Sequence, residues 1–451
     1  MSRTRLVAAL DVGTTTIRLG LFEVELDRDR DHGLDLGCGE RLAIARASLD
    51  HSVPFAGAVE QDPAAFVAEA RRLWDAVLAA AGVTSAEVGA LGIANQRATI
   101  VCWSSATGQA LRPAVGWQDA RSADAVAELV TSGIPVNTSA SCTKMRWLLD
   151  HDPVVAAAAA DGTLRMGTVD SWMTWALSDG TAFVTDPGNA AATGLYDPRL
   201  GDWSAGALDL FGVPRGPLAE VVASDADVGA ALLLDPDGGV RLPARLGDQM
   251  AACAAHRLAP GGAKITLGTS AMLDVHAGTA PGPAPGGCYT LPLWRRTGAD
   301  GATTEEFMFE GSINTAGSVI EWLVRIGLLE RVEALDAVAA EGRPGAARFV
   351  PALAGLGTPH HDPAARGEWT GLALDTTGPD LVRAVVEGIA DRVAELADHM
   401  GVRILAVDGG LSRSQVLVDA LFARGLDARR AGDDEATLRG AAEIAAVALS
   451  R

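Results

Sequence analysis

A chain of 451 residues exceeds what one hydrophobic core usually holds, and a prior of roughly 150 residues per domain suggests two large domains. With 48% hydrophobic residues and 51 glycines the composition is that of a globular α/β protein, which excludes a disordered or fibrous chain. The formal net charge of −20 argues against a nucleic-acid binder, which needs a basic face to displace counterions, but leaves room for a nucleotide in a local pocket.

The apolar run from Leu6 to Leu10 reads as a strand buried on both faces. Asp11 interrupts it, so the run is too short for a signal-peptide core. Residues 11–16 (DVGTTT) then turn the chain, and Ile17, Leu19 and Leu21 alternate with Arg18 and Gly20 as a returning strand, which makes a hairpin. Residues 63–81 show helical spacing with Pro63 at the start. Val88 to Ala94 is strand-like, and residues 95–98 (NQRA) lead into a further strand from Thr99 to Trp103. Residues 144–151 read as a helix, and Trp147, Trp172 and Trp175 as core side chains.

Near residue 246 the chain divides into almost equal halves, which sets expected domains of 1–246 and 247–451. Asp248, flanked by Gly247 and Gln249, opens an Ala-rich helix. After a turn at Pro260, Gly261 and Gly262, residues 263–275 (AKITLGTSAMLDV) repeat the strand, Gly/Thr turn, strand layout of the N-terminal hairpin. Such a turn points backbone N–H groups and hydroxyls at one place, which suits a phosphate. Two of them suggest related domains that share one polyphosphate. Farther on, residues 279–287 and 296–304 are loop-like, 313–329, 380–400 and 435–449 helical, and Ile404 to Val407 a strand. That strand runs into Asp408, Gly409 and Gly410 and then a helix carrying Val416, Leu417, Ala420 and Leu421, a pattern that lets backbone approach a nucleotide.

The five cysteines, Cys38, Cys102, Cys142, Cys253 and Cys288, are scattered without a Cys-x-x-Cys and read as small buried residues in a reducing compartment. No run approaches the 18 or so apolar residues of a membrane span. A cytoplasmic protein is expected, with no nucleic acid or membrane as partner. A homo-oligomer is compatible with the sequence.

In order along the chain, these segments resemble the FGGY carbohydrate kinases, and most of all their glycerol kinase branch. DVGTTTIR (11–18) resembles the family's first phosphate loop, and GIANQRATIVCW (92–103) with TGQALRPAVGWQDAR (107–121) its substrate segment. SASCTKMRWLLDH (139–151) and GEWTGLALDTTGPDLVRAVVE (367–387) fit its two signatures, while GLGTPHHDPAARG (355–367) and VDGGLSRS (407–414) resemble its lid and adenosine segments. The resemblance implies an α/β fold of two actin- and hexokinase-like domains, each a mixed five-stranded sheet flanked by helices, with an ATP cleft between them. The first would bind the sugar or polyol and carry the first phosphate loop, the second the other phosphate loop and the adenosine.

The resemblance also implies roles. Asp248 corresponds to the catalytic base: an alcohol's pKa lies far above neutral, so a carboxylate must take its proton as the bond to phosphorus forms. Asp11 would position Mg²⁺, directly or through water. Thr14, Thr15, Thr16, Gly268 and Thr269 would serve the phosphates, Arg18 the charge on the transferring group, and Gly311, Thr315, Gly410 and Ser414 the ATP side. Arg97, Ala98, Trp103, Ser139, Asp248 and Gln249 would face the substrate. Ala98 stands where glycerol kinases have Glu, and Ser139 where they have Tyr, which implies a roomier pocket that admits a longer polyol or a ketopentose as readily as glycerol. The reading is therefore an ATP- and Mg²⁺-dependent polyol or sugar kinase, with glycerol kinase proper and a catalytically weak sugar sensor as alternatives.

Overall fold

The computed structural model describes residues 3–26, 38–298, 300–430 and 435–451, which fall into two compact units. The first comprises Met1–Ala255, Pro292–Glu305 and Thr437–Arg451, and the second His256–Leu291 and Glu306–Ala436.

In the first unit β1 (Arg3–Val12), β2 (Thr16–Leu26) and β3 (Cys38–Ser48) form an antiparallel meander. Helix α1 (Pro63–Ala81) starts where the Asp62 carboxylate accepts the Ala64 N–H and stops at Gly82, whose φ of 69° is the left-handed value that ends helices. Its buried stripe, Phe66, Ala70, Leu73, Trp74 and Val77, shares one core with Leu10, Leu19 and Leu21 of the sheet. Next, β4 (Val88–Asn95) joins parallel to β1. Helix α2 (Ser141–His151) packs Cys142, Met145 and Leu148 into a smaller core with the strand Ile100–Ser104. Finally β5 (Arg241–Gly247) lies parallel to β4, and helix α3 (Asp248–Ala255) follows without a break. The strand order is β5-β4-β1-β2-β3. Register aligns three strand ends in one row, with Val12 beside Asn95 and Asn95 beside Gly247.

The second unit repeats this plan. Strands β6 (Ala263–Leu267) and β7 (Ala271–Gly278) form a hairpin, and β8 (Tyr289–Thr297) precedes β9 (Thr303–Ile313), which pairs antiparallel with β7. Helices α4 (Gly317–Arg325) and α5 (Gly378–His399) come next, α5 opening on a reciprocal cap between Thr377 and Asp380. Strand β10 (Ile404–Asp408), helix α6 (Gln415–Ala423) and β11 (Asp427–Arg430) complete it. The order β9-β7-β6-β10-β11 is that of β3-β2-β1-β4-β5, three antiparallel strands and then two parallel ones, and β8 extends it to six where five were expected. Val385, Ile389 and Val393 of α5 share a core with Ile265, Leu273 and Leu405.

Two features depart from a single division near residue 246. The outer part of the β8–β9 hairpin belongs to the first unit, where the Ser224 N–H donates to the Arg295 carbonyl at 2.7 Å and Asp225 accepts the Thr297 N–H at 2.9 Å. Helix α7 (Ala436–Leu449) also returns there, almost in its entirety. The reason is backbone-to-backbone packing. A Cβ added to Gly440 would stand 1.7 Å from the Ala251 carbonyl oxygen, and one added to Gly92 would stand 2.3 Å from that of Ala441.

Cys102, Cys142 and Cys253 are buried and Cys288 is half-buried, whereas the Cys38 side chain lies outside the described residues. No helix among the described residues is long and apolar enough to cross a membrane.

The Gly440 contact leaves no volume for a side chain, so Gly440→Val should lower the unfolding free energy by about 2–4 kcal/mol. Urea unfolding checks this; a change within roughly 0.5 kcal/mol would mean that α7 is not seated as described.

Candidate active site

The row of strand ends carries the first group of candidate residues. At the end of β1 the chain turns through Gly13, Thr14 and Thr15, closed by the Gly13 N–H on the Thr16 carbonyl at 3.0 Å. The turn's other carbonyls are occupied: Gln96 Nε2 donates to Gly13 O at 3.2 Å, and Gln61 Nε2 to Thr14 O at 2.8 Å. Gln96 also donates to Gln61 Oε1 at 2.8 Å, so two buried amides brace the turn together. With its carbonyls turned inward, the turn leaves the Thr14 and Thr15 N–H groups without a partner among the described residues, a geometry suited to an anion. Asp11 is buried and paired across the hairpin with half-buried Arg18. Among the described residues no cluster of three His, Cys, Asp or Glu side chains could hold a metal unaided. A single carboxylate is nevertheless enough for an ion that brings phosphate oxygens and water of its own.

Asp248 follows directly on Gly247, at the same edge. Its Oδ1 accepts the Gln249 N–H at 2.9 Å and faces Arg97 Nε at 3.5 Å, leaving Oδ2 without a hydrogen bond among the described residues. The Asp248 side chain is 37% exposed and that of Arg97 14%, so a carboxylate open to solvent is held from one side by a largely buried guanidinium. Gly247 makes this possible, because a Cβ there would stand 2.7 Å from Arg97 Cγ and Cδ. Below the row, Asn95 Nδ2 donates to Asn189 Oδ1 at 2.9 Å and Asn189 Nδ2 to Asp186 at 2.9 Å, fixing the end of β4.

The remaining substrate-side candidates separate. Ala98 is 7% exposed in the left-handed region, φ 63°, with its carbonyl accepting from Ser141 Oγ at 3.0 Å. Ser139 is exposed just before α2. Trp103 must be corrected. It is fully buried among Trp172, Trp175 and Phe183, with ring centroids 5.3–6.2 Å away, and cannot reach a ligand. The tryptophan at the row is Trp117, 37% exposed, whose Nε1 donates to Thr14 Oγ1 at 3.0 Å. Its place in a polar turn, next to Gly116 and Gln118, was the available signal.

In the second unit, Gly268 to Ser270 link β6 to β7, closed by the Gly268 N–H on Ser270 O at 2.9 Å. Here too the carbonyls are occupied. The Gly317 N–H donates to Gly268 O at 2.8 Å and those of Ala316 and Ser318 to Thr269 O at 3.0 and 3.1 Å, while Thr269 itself is exposed. Beside this turn β10 ends in Asp408, and Gly409 follows. Gly409 has φ 86°, and its Cβ would meet Leu267 backbone atoms at 2.6–2.8 Å. Close approach thus belongs to Gly409, whereas Gly410 is exposed and faces open space. His256 Nε2 lies 2.7 Å from Asp408, whose carboxyl is buried, which opposes ionisation, yet is held below the usual range by the charge of Lys264 and the bond to His256.

Three expected ATP-side residues make local contacts within the second unit. Gly311 faces α5, where a Cβ would stand 2.8 Å from Leu396 Cδ1. Buried Thr315 donates to the Pro351 carbonyl. Ser414 caps α6 by accepting the Leu417 N–H at 3.2 Å and donates to Asp336 at 2.5 Å.

Comparison with known proteins agrees with this geometry. Residues 6–233 match the N-terminal domain model of the FGGY family of carbohydrate kinases and residues 263–449 its C-terminal domain model. The chain is 36% identical to a glycerol kinase of Thermus brockianus, over 91% of this chain and 83% of that one. It is 35% identical to a glycerol kinase of Bordetella parapertussis, over 100% of this chain and 90% of the other. A crystal structure of Plasmodium falciparum glycerol kinase with ADP superposes with a TM-score of 0.86 at 25% identity, covering 99% of this chain and 90% of that one.

The two tryptophans make opposite predictions. Trp103→Ala should cost about 3–5 kcal/mol in urea unfolding, as for any large buried ring. Trp117→Ala should leave stability within about 1 kcal/mol while raising the KM for the phosphoryl acceptor roughly tenfold. An unchanged acceptor KM in the Trp117 variant would remove that ring from the site.

Proposed function

The chain belongs to the FGGY family of carbohydrate kinases, and on that premise we propose how its own residues transfer a phosphoryl group from ATP to a polyol or sugar. The observation that carries the reading is the row of strand ends in the first unit, which brings Asp248 and Arg97 to the same edge as the Gly13–Thr15 turn. An acceptor hydroxyl binds against Asp248 Oδ2 while Arg97 holds Oδ1. As oxygen bonds to the γ-phosphorus its proton passes to the carboxylate, a contribution typically worth ~10² to 10⁴ in rate.

In the first unit the amides of Thr14 and Thr15, with Thr16, take phosphate oxygens, and in the second unit the turn of Gly268 and Thr269 serves phosphate in the same way. Arg18 supplies positive charge toward the transferring group. Asp11, paired with Arg18, would hold Mg²⁺ directly or through water, and the ion would supply positive charge to the phosphates. Gly409 and Gly410 border the nucleoside. Arg97, Ala98, Trp117, Ser139 and Gln249 line the acceptor side. The first unit therefore holds the acceptor and one phosphate turn, and the second holds the other turn and the adenosine.

The small side chains of Ala98 and Ser139 leave space, so the preferred acceptor is a polyol or ketose longer than glycerol. The protein works in the cytoplasm on these small molecules, without nucleic acid or membrane.

ADP release with glycerol, ribitol and xylulose tests both parts. The highest kcat/KM should fall on a five-carbon acceptor, and a clear preference for glycerol would overturn the substrate assignment. Asp248→Asn should retain fold and ADP binding but lose roughly 10²- to 10⁴-fold in kcat. Near-normal turnover by that variant would exclude Asp248 as the base.

A further inference from the structure

The buried ammonium of Lys144 has no part in the chemistry just described, yet it ties the Trp117 and Ser139 segments of the acceptor side together. Lys144 lies in the first turn of α2, is 0% exposed, and makes no ion pair among the described residues. Its Nζ instead donates to three backbone carbonyls: Gly116 O at 3.2 Å, Trp117 O at 3.2 Å and Ser139 O at 3.3 Å. An ammonium has three N–H donors and no acceptor, so these carbonyls use it fully. Removing such a charge from water is expensive, and an apolar side chain of similar length would fill the space at lower cost if packing were the only requirement. What Met cannot do is hold three carbonyls from two separate loops. From the same helical turn Ser141 Oγ donates to Ala98 O, so α2 joins Ala98, Trp117 and Ser139.

We propose that Lys144 is the positioning residue of the acceptor site, clamping the Trp117 and Ser139 segments together so that acceptor affinity, and not nucleotide affinity, depends on its three hydrogen bonds. The proposal rests on the reading of this edge as the acceptor site. The groups facing the ammonium are Asp119, Arg121 and Cys142. The Asp119 charge favours the ammonium and that of Arg121 opposes it, while Cys142 stays a neutral thiol because burial pushes it up to about 12. Arg121 is itself tied to Asp119 and Glu60 at 2.8 and 2.7 Å. Burial dominates and brings Lys144 down to about 8. Above that pH a neutral amine keeps only two N–H donors for three carbonyls, and the clamp loosens.

Lys144→Met and the unaltered chain should be compared using the acceptor of the panel above with the largest kcat/KM. The variant's acceptor KM should rise about tenfold or more while its kcat and ATP KM stay within roughly threefold. In the unaltered chain acceptor KM should climb from about pH 7.5 to 9.5 while ATP KM does not, and in Lys144→Met that climb should vanish. Acceptor and ATP KM rising together in the variant, or a flat acceptor KM in the unaltered chain, would overturn the proposal. If the variant does not fold, the pH profile of the unaltered chain decides alone. Should no acceptor be turned over, the kinase reading fails separately. Hydrogen exchange then judges the clamp, with faster exchange across residues 116–119 and 137–140 in Lys144→Met supporting it and unchanged exchange refuting it.

Discussion

The register between β1, β4 and β5 is the constraint on which the rest depends. Because the three strands run parallel and end level, at Val12, Asn95 and Gly247, the residues that follow each of them emerge at one edge of the sheet. Gly13–Thr15, Gln96–Ala98 and Asp248 are far apart in sequence and become neighbours only through this pairing. A shift of one residue in β5 would turn its side chains to the opposite face and carry Asp248 with them. The buried Asn95–Asn189–Asp186 bonds below the row, and the missing side chain at Gly247, hold that register and admit Arg97 to the carboxylate.

The two units solve one problem twice. Each has a strand that ends beside a parallel neighbour, turns on a glycine and returns antiparallel. In each the carbonyls of the turn are occupied by donors from elsewhere in the unit, glutamine side chains in the first and the start of α4 in the second. A turn whose carbonyls face inward presents amides outward, which favours an anion whatever its side chains are. This explains why the same layout of apolar strand, Gly and Thr recurs in the sequence with so few charged residues.

Features set by local chemistry were legible in the sequence. The hairpin around residues 11–16, the helix from Pro63 to Ala81 and the helix opening at Asp248 match their expected positions, because periodicity, capping and turn residues act over a few positions. Features set by distant partners were not. The β8–β9 hairpin carries Arg295, Arg296, Glu305 and Glu306, which break the alternation of a strand; its stability comes from Tyr196, Ser224 and Asp225. The return of α7 depends on two glycines meeting distant backbone. Trp103 and Trp117 flank one segment, and the apolar run from Ile100 to Trp103 on one side and the polar turn of Gly116 and Gln118 on the other distinguish the core ring from the exposed one. A serine before an apolar helix is foremost a cap, as Ser414 is. Nothing in a list of residues reveals that the Lys144 ammonium is buried on three carbonyls.

The central claim is spatial: the edge formed by the ends of β1, β4 and β5 receives the alcohol. A crystal structure with the preferred acceptor alone tests it most directly. The account predicts a primary hydroxyl within about 3 Å of Asp248 Oδ2, with the rest of the molecule against Arg97 and Trp117. An acceptor seated elsewhere, or lying at this edge with no hydroxyl near Asp248, would contradict it.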